Sequence, residues 1–440
     1  MRLVSSPTAR KLLTLVSVGL AAILTTPTAA VAAPPPAPGN FTGYGFDACV
    51  APSQTVMDAW NLKSPYSAIG IYISGNSRYC GDAYQPNLSN AWVARNAANG
   101  WRFIPIHVGY QSPCFKNNPD SRVQKKKMST TVSVARTQGV ADADETIAAL
   151  KKYGFGLGSV SYLDIEWYAR TAACDNIVLE FIDAWTVRLH AAGYKSGVYS
   201  SGSAAIKAVD EARIAGRPGF DMPDHMWIAW TNKIANTDGG PYLSDSGWTN
   251  HQRIHQYQNG VTVSYGGYKV NIDKNFLDVG TGSVAVKDPR PCGVPMTFPA
   301  YPTLKLGTKG YVVMTLQCAL TKRGFPTTIN GTFDAGTMKA MQAYRAFRKW
   351  PPNTTTTKNL WTALLSQGTN PRVLKQGSIG ESVWRLQRAL AASGLKVTMN
   401  GIYDAKTVAA VKAYRTGNNL TDYSTTDASI WALMLSGKIA

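Results

Sequence analysis

Several chemistries are missing from this chain of 440 residues. Charged residues make up only 16%, and acids are the scarcer sign: 26 Asp and Glu stand against 45 Lys and Arg. There is no Cys-x-x-Cys pair, which excludes a zinc cluster or a thioredoxin-type centre. No His-Glu-x-x-His occurs among the five histidines. His251-x-x-x-His255 has helical metal spacing, but its segment reads as a strand, so no metal site is expected. No Gly-x-Ser-x-Gly elbow supports a serine hydrolase. No Gly-x-Gly-x-x-Gly follows the first strand, so a dinucleotide cofactor lacks its fingerprint. Six cysteines, an even number, argue against a free catalytic thiol. No cofactor is expected. Beyond the first 32 residues no apolar run approaches membrane length.

What is present begins with Arg2, Arg10 and Lys11, then an apolar run from Leu12 to Leu24, then small residues. That is the pattern of a secretory signal, cleaved after Ala30 or Ala32; thirteen residues are too few to span a bilayer comfortably. An uncleaved anchor is the alternative. A secreted, extracellular protein, soluble once the signal is removed, suits disulfide formation. Six cysteines allow fifteen pairings. Proximity favours Cys292 with Cys318 and leaves Cys49, Cys80, Cys114 and Cys174 to the first domain. The net charge is +19, and from Leu304 onward 18 Lys and Arg face 5 Asp and Glu. A basic exported tail points to an anionic polymer such as a bacterial wall rather than to nucleic acid.

Short apolar strands are expected at Tyr44–Asp47, Ala68–Ser74, Trp101–Val108, Ser159–Trp167, Lys195–Ser200, Met226–Trp230, Arg253–Tyr257 and Lys269–Ile272. Helical patterns fall between most of them, at 53–60, 90–99, 142–153, 176–192 and 202–215. Acids in the first turn and Lys151-Lys152 in the last fit a helix starting at Asp142. Continuous apolar strands alternating with helices indicate a parallel sheet covered on both faces. Eight units in about 240 residues is the size of a (β/α)8 TIM-type barrel, with a doubly wound sheet as the alternative. Gln111–Gly139 reads as an inserted loop, and Lys125-Lys126-Lys127 as a solvated face.

The stretch Ser161–Tyr168 carries two acids two residues apart, Asp164 and Glu166, followed by Trp167 and Tyr168. On a strand both carboxylates share one face while Leu163 and Ile165 share the other. In a β/α barrel active sites lie at the carboxyl ends of strands. Asp47 at the end of strand one and Asp273 at the end of strand eight would converge with Asp164 and Glu166 on one rim. Crowded acids raise one another's pKa and favour a protonated member, as glycoside cleavage requires. Tyr72, Tyr199, Trp230 and Tyr257 would line the same rim, where rings stack on sugar faces.

Gly45-Phe-Asp47, Leu163-Asp-Ile-Glu166, Tyr199-Ser-Ser201, Trp227-Ile-Ala-Trp230, Gln256-Tyr257 and Asp273 resemble, in order, the family 25 glycoside hydrolases, the muramidases. Residues 41–280 are still more similar to a related group of exported bacterial glycoside-hydrolase-like domains of unknown function. The resemblance implies Glu166 as general acid, Asp164 as its partner on water or on the substrate's N-acetyl group, and Asp47 and Asp273 as tuners of the pocket. The chain departs from the muramidases in the 111–139 insertion, in its cysteines and in Trp230.

The tail repeats itself at an offset of 70 residues. Leu304, Gly307, Gly310, Val313, Leu316 and Gln317 recur as Leu374, Gly377, Gly380, Val383, Leu386 and Gln387. Asn330, Gly331, Asp334, Thr337, Tyr344 and Trp361 recur as Asn400, Gly401, Asp404, Thr407, Tyr414 and Trp431; Gly417 stands where Phe347 stands, which predicts a shorter third helix in the second copy. Asp334 suits a helix N-cap. The copies resemble the type 1 peptidoglycan-binding domain, which implies two small all-α three-helix modules and peptidoglycan, or another anionic wall polysaccharide, as partner.

The expected organisation is a signal at 1–32, a Pro-rich spacer at 33–40, the barrel at 41–282, a linker at 283–300 and modules at 301–368 and 371–440. The expected function is a monomeric, wall-associated glycoside hydrolase of lysozyme-like activity. The alternative is a non-catalytic glycan-binding protein that keeps the barrel as a recognition surface. Action on another wall polysaccharide is a third option.

Overall fold

The computed structural model describes Met1 and residues 36–440 apart from Arg122; the expected signal and the start of the spacer lie outside the described residues. Eight strands close into one barrel in chain order: β1 (Phe41–Asp47), β2 (Ala68–Ser74), β3 (Arg102–His107), β4 (Val160–Ile165), β5 (Lys195–Ser201), β6 (His225–Ala229), β7 (Gln252–Tyr265) and β8 (Tyr268–Val279). Five helices cross between the first six strands: α1 (Gln54–Lys63), α2 (Asn90–Ala98), α3 (Val132–Lys152), α4 (Ala172–Ala191) and α5 (Lys207–Ile214). Ser53, Ser89 and Thr171 cap α1, α2 and α4 by accepting a backbone N–H.

The barrel departs from eight parallel units in its last third. Strands β1 to β7 pair in parallel, but β8 runs antiparallel to both β7 and β1. Strands β7 and β8 are joined by Gly266-Gly267, both at positive φ (60° and 87°), as a tight hairpin demands. From Tyr257 onward the hairpin extends past the barrel as an arm with alternating exposure. It takes the place of a crossover helix by lying on α1. Trp60 Nε1 donates to the Tyr268 carbonyl at 3.1 Å, and the Tyr265 ring meets the Trp60 ring edge-on at 5.3 Å.

Side chains alternate strictly across the wall. Phe46, Leu163, Ile165 and Ile228 point outward into the core shared with the helices, where Trp60, Phe181 and Trp185 are fully buried. Ile104, Ile106, Tyr162, Trp227, Ile254 and Leu277 fill the interior. Truncating one of the buried tryptophans to Ala would cost about 3–5 kcal/mol. Disulfides join Cys49 to Cys80, Cys114 to Cys174 and, as proximity favoured, Cys292 to Cys318.

Six helices follow: α6 (Tyr311–Thr321), α7 (Ala335–Phe347), α8 (Lys358–Ser366), α9 (Glu381–Ser393), α10 (Ala405–Gly417) and α11 (Ala428–Leu435). Trp361 anchors one core with α6 to α8, and Trp431 anchors another with α9 to α11. Repeated polar residues explain themselves here. Gln317 Nε2 donates to Asn330 Oδ1, Thr332 O and Thr337 Oγ1, each at 2.9 Å, and its Oε1 accepts from Gly331 N at 2.9 Å. Gln387 repeats this with Asn400, Ile402, Thr407 and Gly401 at 2.9–3.0 Å. Asp334 and Asp404 cap α7 and α10. Gly417 does not shorten α10, which matches α7 at 13 residues; Phe347 is largely exposed and its ring meets Phe325 at 5.7 Å, a contact the second copy lacks; the third helices have 9 and 8 residues.

The second set packs on the barrel at the amino ends of its strands. Buried Lys375 Nζ donates to Asn61 Oδ1 at 2.9 Å, Asn61 O at 3.1 Å and Tyr66 O at 2.5 Å. Lys63 pairs with Asp427 at 2.8 Å. The tail therefore leaves the opposite mouth of the barrel clear.

Candidate functional site

Four acids converge at the carboxyl mouth. Asp47 ends β1, Asp164 lies one residue from the end of β4, and Glu166 follows directly after it. Asp273 was expected to end strand eight but lies inside β8. It reaches the same level because β8 runs in reverse, pairing Asp273 with Asp47 in register. Gly70 leaves the space they occupy: a Cβ there would lie 2.5 Å from Asp47 Cβ.

A hydrogen-bond network crosses the barrel from Asp47. Asn275 Nδ2 donates to Asp47 Oδ1 at 2.6 Å, the Tyr72 hydroxyl to Asp47 Oδ2 at 3.2 Å, and Gln256 Nε2 to Asp47 Oδ1 and Asp273 Oδ2 at 3.4 Å. The Tyr199 hydroxyl donates to Gln256 Oε1 at 3.0 Å, and Trp227 Nε1 to Asn275 Oδ1 at 2.8 Å. Burial pushes the Asp47 carboxyl up, aided by the Asp273 charge and opposed by Asn275, Gln256 and Tyr72, to about 7. Burial also raises Asp273, against the Gly260 N–H that donates to it and with the Glu166 charge.

Asp164 differs from the others. It is 5% exposed, and its Oδ1 has no hydrogen-bond partner among the described residues. Burial drives its pKa well above the usual carboxylate range; the Glu166 and Asp47 charges add to this and Lys125 opposes it. A buried carboxylate oxygen without a donor favours the neutral form, since charge there is poorly solvated.

Lys125 overturns one sequence expectation. Lys126 and Lys127 are exposed, as read, but Lys125 turns inward and places Nζ 2.5 Å from Glu166 Oε1. Nothing in a run of three lysines distinguishes the first; the tertiary path of the insertion does. Asn117 holds the Lys125 backbone on both sides, at 2.8 and 3.0 Å. Cys114 is bonded to Cys174 at the start of α4. Buried Gln111 receives the Glu166 N–H at 2.7 Å and donates to the Asp164 carbonyl at 2.8 Å, fixing the end of β4.

The insertion is not all loop, because α3 starts at Val132 rather than at Asp142. Its mid-helix acids serve tertiary contacts instead of the helix dipole. Asp142 Oδ2 accepts from Tyr110 N at 3.0 Å and approaches His107 Nε2 at 3.2 Å, while Glu145 Oε1 accepts from Gly75 N at 2.7 Å. These bonds hold the β2 and β3 ends of the mouth.

The structure thus brings together Asp47, Asp164, Glu166, Asp273, Tyr72, Tyr199 and Gln256. It does not bring Trp230 or Tyr257 to them. Trp230 faces outward and stacks on His255, with ring centroids 5.8 Å apart, and meets Tyr242. Tyr257 lies on the outer face in a pocket shared with Tyr44, Tyr66 and Tyr265. Both are displaced by the period-two alternation that sends Gln256 and Ala229 inward. Exposed Trp167 stands beside Glu166. Asn275 was missed, although it shares a face with Asp273 by the same alternation.

The family model of the Rv2525c-like, glycoside hydrolase-like domain matches residues 58–277. No curated protein matches the chain. Among solved structures, the Tat-secreted protein Rv2525c of Mycobacterium tuberculosis, in complex with L-tartrate, is 15% identical, with 54% of this chain and 95% of that chain covered and a TM-score of 0.36. The spore cortex lytic enzyme SleM of Clostridium perfringens is 18% identical over 54% of this chain and 67% of its own, with a TM-score of 0.34. A family 25 glycosyl hydrolase from Bacillus anthracis is 18% identical over 54% and 89%, with a TM-score of 0.32. With half of its length matched by that family model, the chain belongs to the Rv2525c-like glycoside hydrolase-like domain family.

Proposed function

We propose that the barrel is an exported cell-wall glycoside hydrolase acting on peptidoglycan in the manner of a muramidase, with the tail as two wall-binding modules. The observation that carries this reading is the pair at the end of β4: a buried Asp164 whose Oδ1 has no hydrogen-bond partner among the described residues, next to an ion-paired Glu166. Glycoside cleavage needs one carboxyl with a proton and one without.

With Lys125 in place the proton resides on Asp164. A glycan entering the mouth displaces Lys125, and the proton held at Asp164 passes to Glu166. Glu166 then protonates the leaving glycosidic oxygen as the C–O bond breaks. Asp164, now ionised, takes a proton from the water whose oxygen joins the anomeric carbon, or steadies the charge that forms there. Asp47 and Asp273 line the pocket near that carbon. Tyr72, Tyr199 and Gln256 offer hydrogen bonds to sugar hydroxyls, and Trp167 offers a stacking face.

Purified protein is expected to release reducing ends from cell wall, and Glu166→Gln to lose release while keeping wall binding. The Lys125–Glu166 ion pair favours a second reading, a non-catalytic glycan binder in which Lys125 never leaves. Equal wall binding by wild type, Glu166→Gln and Lys125→Met, with no product from any of them, would sink the hydrolase and leave the binder.

A further inference from the structure

The two helix sets of the tail meet over a cleft that neither contains alone. The ends of α6 and α8 face α9 across residues 367–370 and enclose about 260 Å³. Its wall carries Lys322, Arg323, Arg385 and Arg388, with Glu381 as its acid. Asp288 neutralises Arg388, but Lys322, Arg323 and Arg385 form no ion pair among the described residues.

Each of the two inner guanidiniums spends one nitrogen on the connection between the helix sets. Arg323 Nη2 donates to Leu364 O at 2.9 Å and Gln367 O at 2.8 Å. Arg385 Nη2 donates to Thr369 O at 2.7 Å and Asn370 Oδ1 at 2.9 Å. The Nε atoms of both are buried without a hydrogen-bond partner among the described residues, and Arg385 as a whole is only 7% exposed. Gly368 lets the connection pass close against Arg385: a Cβ there would lie 1.6 Å from Arg385 Nη1. Burial, with repulsion from Arg385, lowers Arg323 to about 10, and burial lowers Arg385 too.

These cations are not part of the repeat that builds the helices. At the 70-residue offset, Arg385 and Arg388 answer to Thr315 and Cys318, and Lys322 and Arg323 answer to Ala392 and Ser393. Arg385 also lies 4.7 Å from the Trp431 ring and Arg323 holds the end of α8, yet no cation stands at the matching positions of the other copy. Buried guanidinium N–H groups without acceptors match the planar, two-oxygen face of an oxyanion.

We propose that this cleft binds a compact oxyanion, a phosphate or carboxylate group, through Arg323, Arg385 and Lys322. Phosphodiester polymers and peptide carboxylates are the two sources of such a group outside a cell. The site stands whether or not the barrel hydrolyses anything.

Calorimetric titration of the full chain at low salt tests it, with inorganic phosphate, glycerol phosphate and N-acetylalanine as probes. Saturable binding of at least one probe is expected, weakened about tenfold or more by Arg385→Gln and by Lys322→Glu. The side chain of exposed Lys322 forms no hydrogen bond or ion pair among the described residues, so its variant decides the matter if Arg385→Gln fails to fold. Lys126→Glu, the same charge change on the barrel, is expected to leave affinity unchanged. Preference for glycerol phosphate supports a phosphodiester source, and preference for N-acetylalanine a peptide one. Absence of saturable binding to all three probes, or wild-type affinity in Lys322→Glu, overturns the proposal.

Discussion

Buried Asp164 in the barrel and buried Gln317 and Gln387 in the tail are opposite solutions to one problem. Each glutamine spends its donors and acceptor on neighbours set by an Asn-Gly turn and a threonine. Asp164 Oδ1 has no hydrogen-bond partner among the described residues. A satisfied buried amide specifies one packing and is at rest. An unsatisfied buried carboxyl stores a proton where a charge would be costly, which is useful only if something arrives to receive it. The comparison separates polar residues that hold a fold from those that wait for a ligand.

The strongest way to break that contrast is Glu166→Gln. Loss of a general acid is expected to lower release of reducing ends about 10²–10⁴-fold, with the melting temperature nearly unchanged. A comparable loss in Gln387→Leu, with its fold intact, would erase the distinction between the two regions.

Acidity gives the next largest effect. Asp47, Asp164 and Asp273 all have folded pKa values above their unfolded ones, Asp47 at about 7 against 3.8. Between roughly pH 4 and 7 the folded chain therefore holds protons that the unfolded chain has released. Stability falls as pH rises through that window, on the order of a few kcal/mol, given about 1.4 kcal/mol per unit. Thermal unfolding from pH 4.5 to 8 measures this, and Asp47→Asn is expected to flatten the slope.

Removing the tail's satisfied amide acts on stability alone. Gln387→Leu strands the Gly401 N–H and Thr407, costing about 1–3 kcal/mol in urea unfolding, with turnover by the barrel unaffected. The smallest effect is expected from Lys125→Met, a several-fold change in turnover and a displaced pH profile, read from rates on solubilised wall. A flat response there would leave Lys125 as a structural pin of the insertion.

Much of this architecture was legible along the chain. Ala68–Ser74 is a continuous apolar run, and such runs become buried strands wherever helices can cover them. The 70-residue repeat marked both helix sets, because turn and cap residues recur where the backbone needs them. The hairpin of β7 and β8 was less visible: its first half reads like any buried strand, and only Gly266-Gly267 signals reversal. Trp230 and Tyr257 were misplaced because nearness to a strand end was weighed above the alternation of faces.

The sequence by itself determined the strands and their faces, the repeated helices and the acids at the ends of β1 and β4, since these follow from local periodicity and turn chemistry. Only tertiary structure decided that Asp273 arrives on a reversed strand. It alone turned Lys125, rather than Lys126 or Lys127, onto Glu166 and left Asp164 without a donor. Those outcomes depend on burial and on partners far apart in the chain, and no local pattern encodes how much water or charge a side chain will meet.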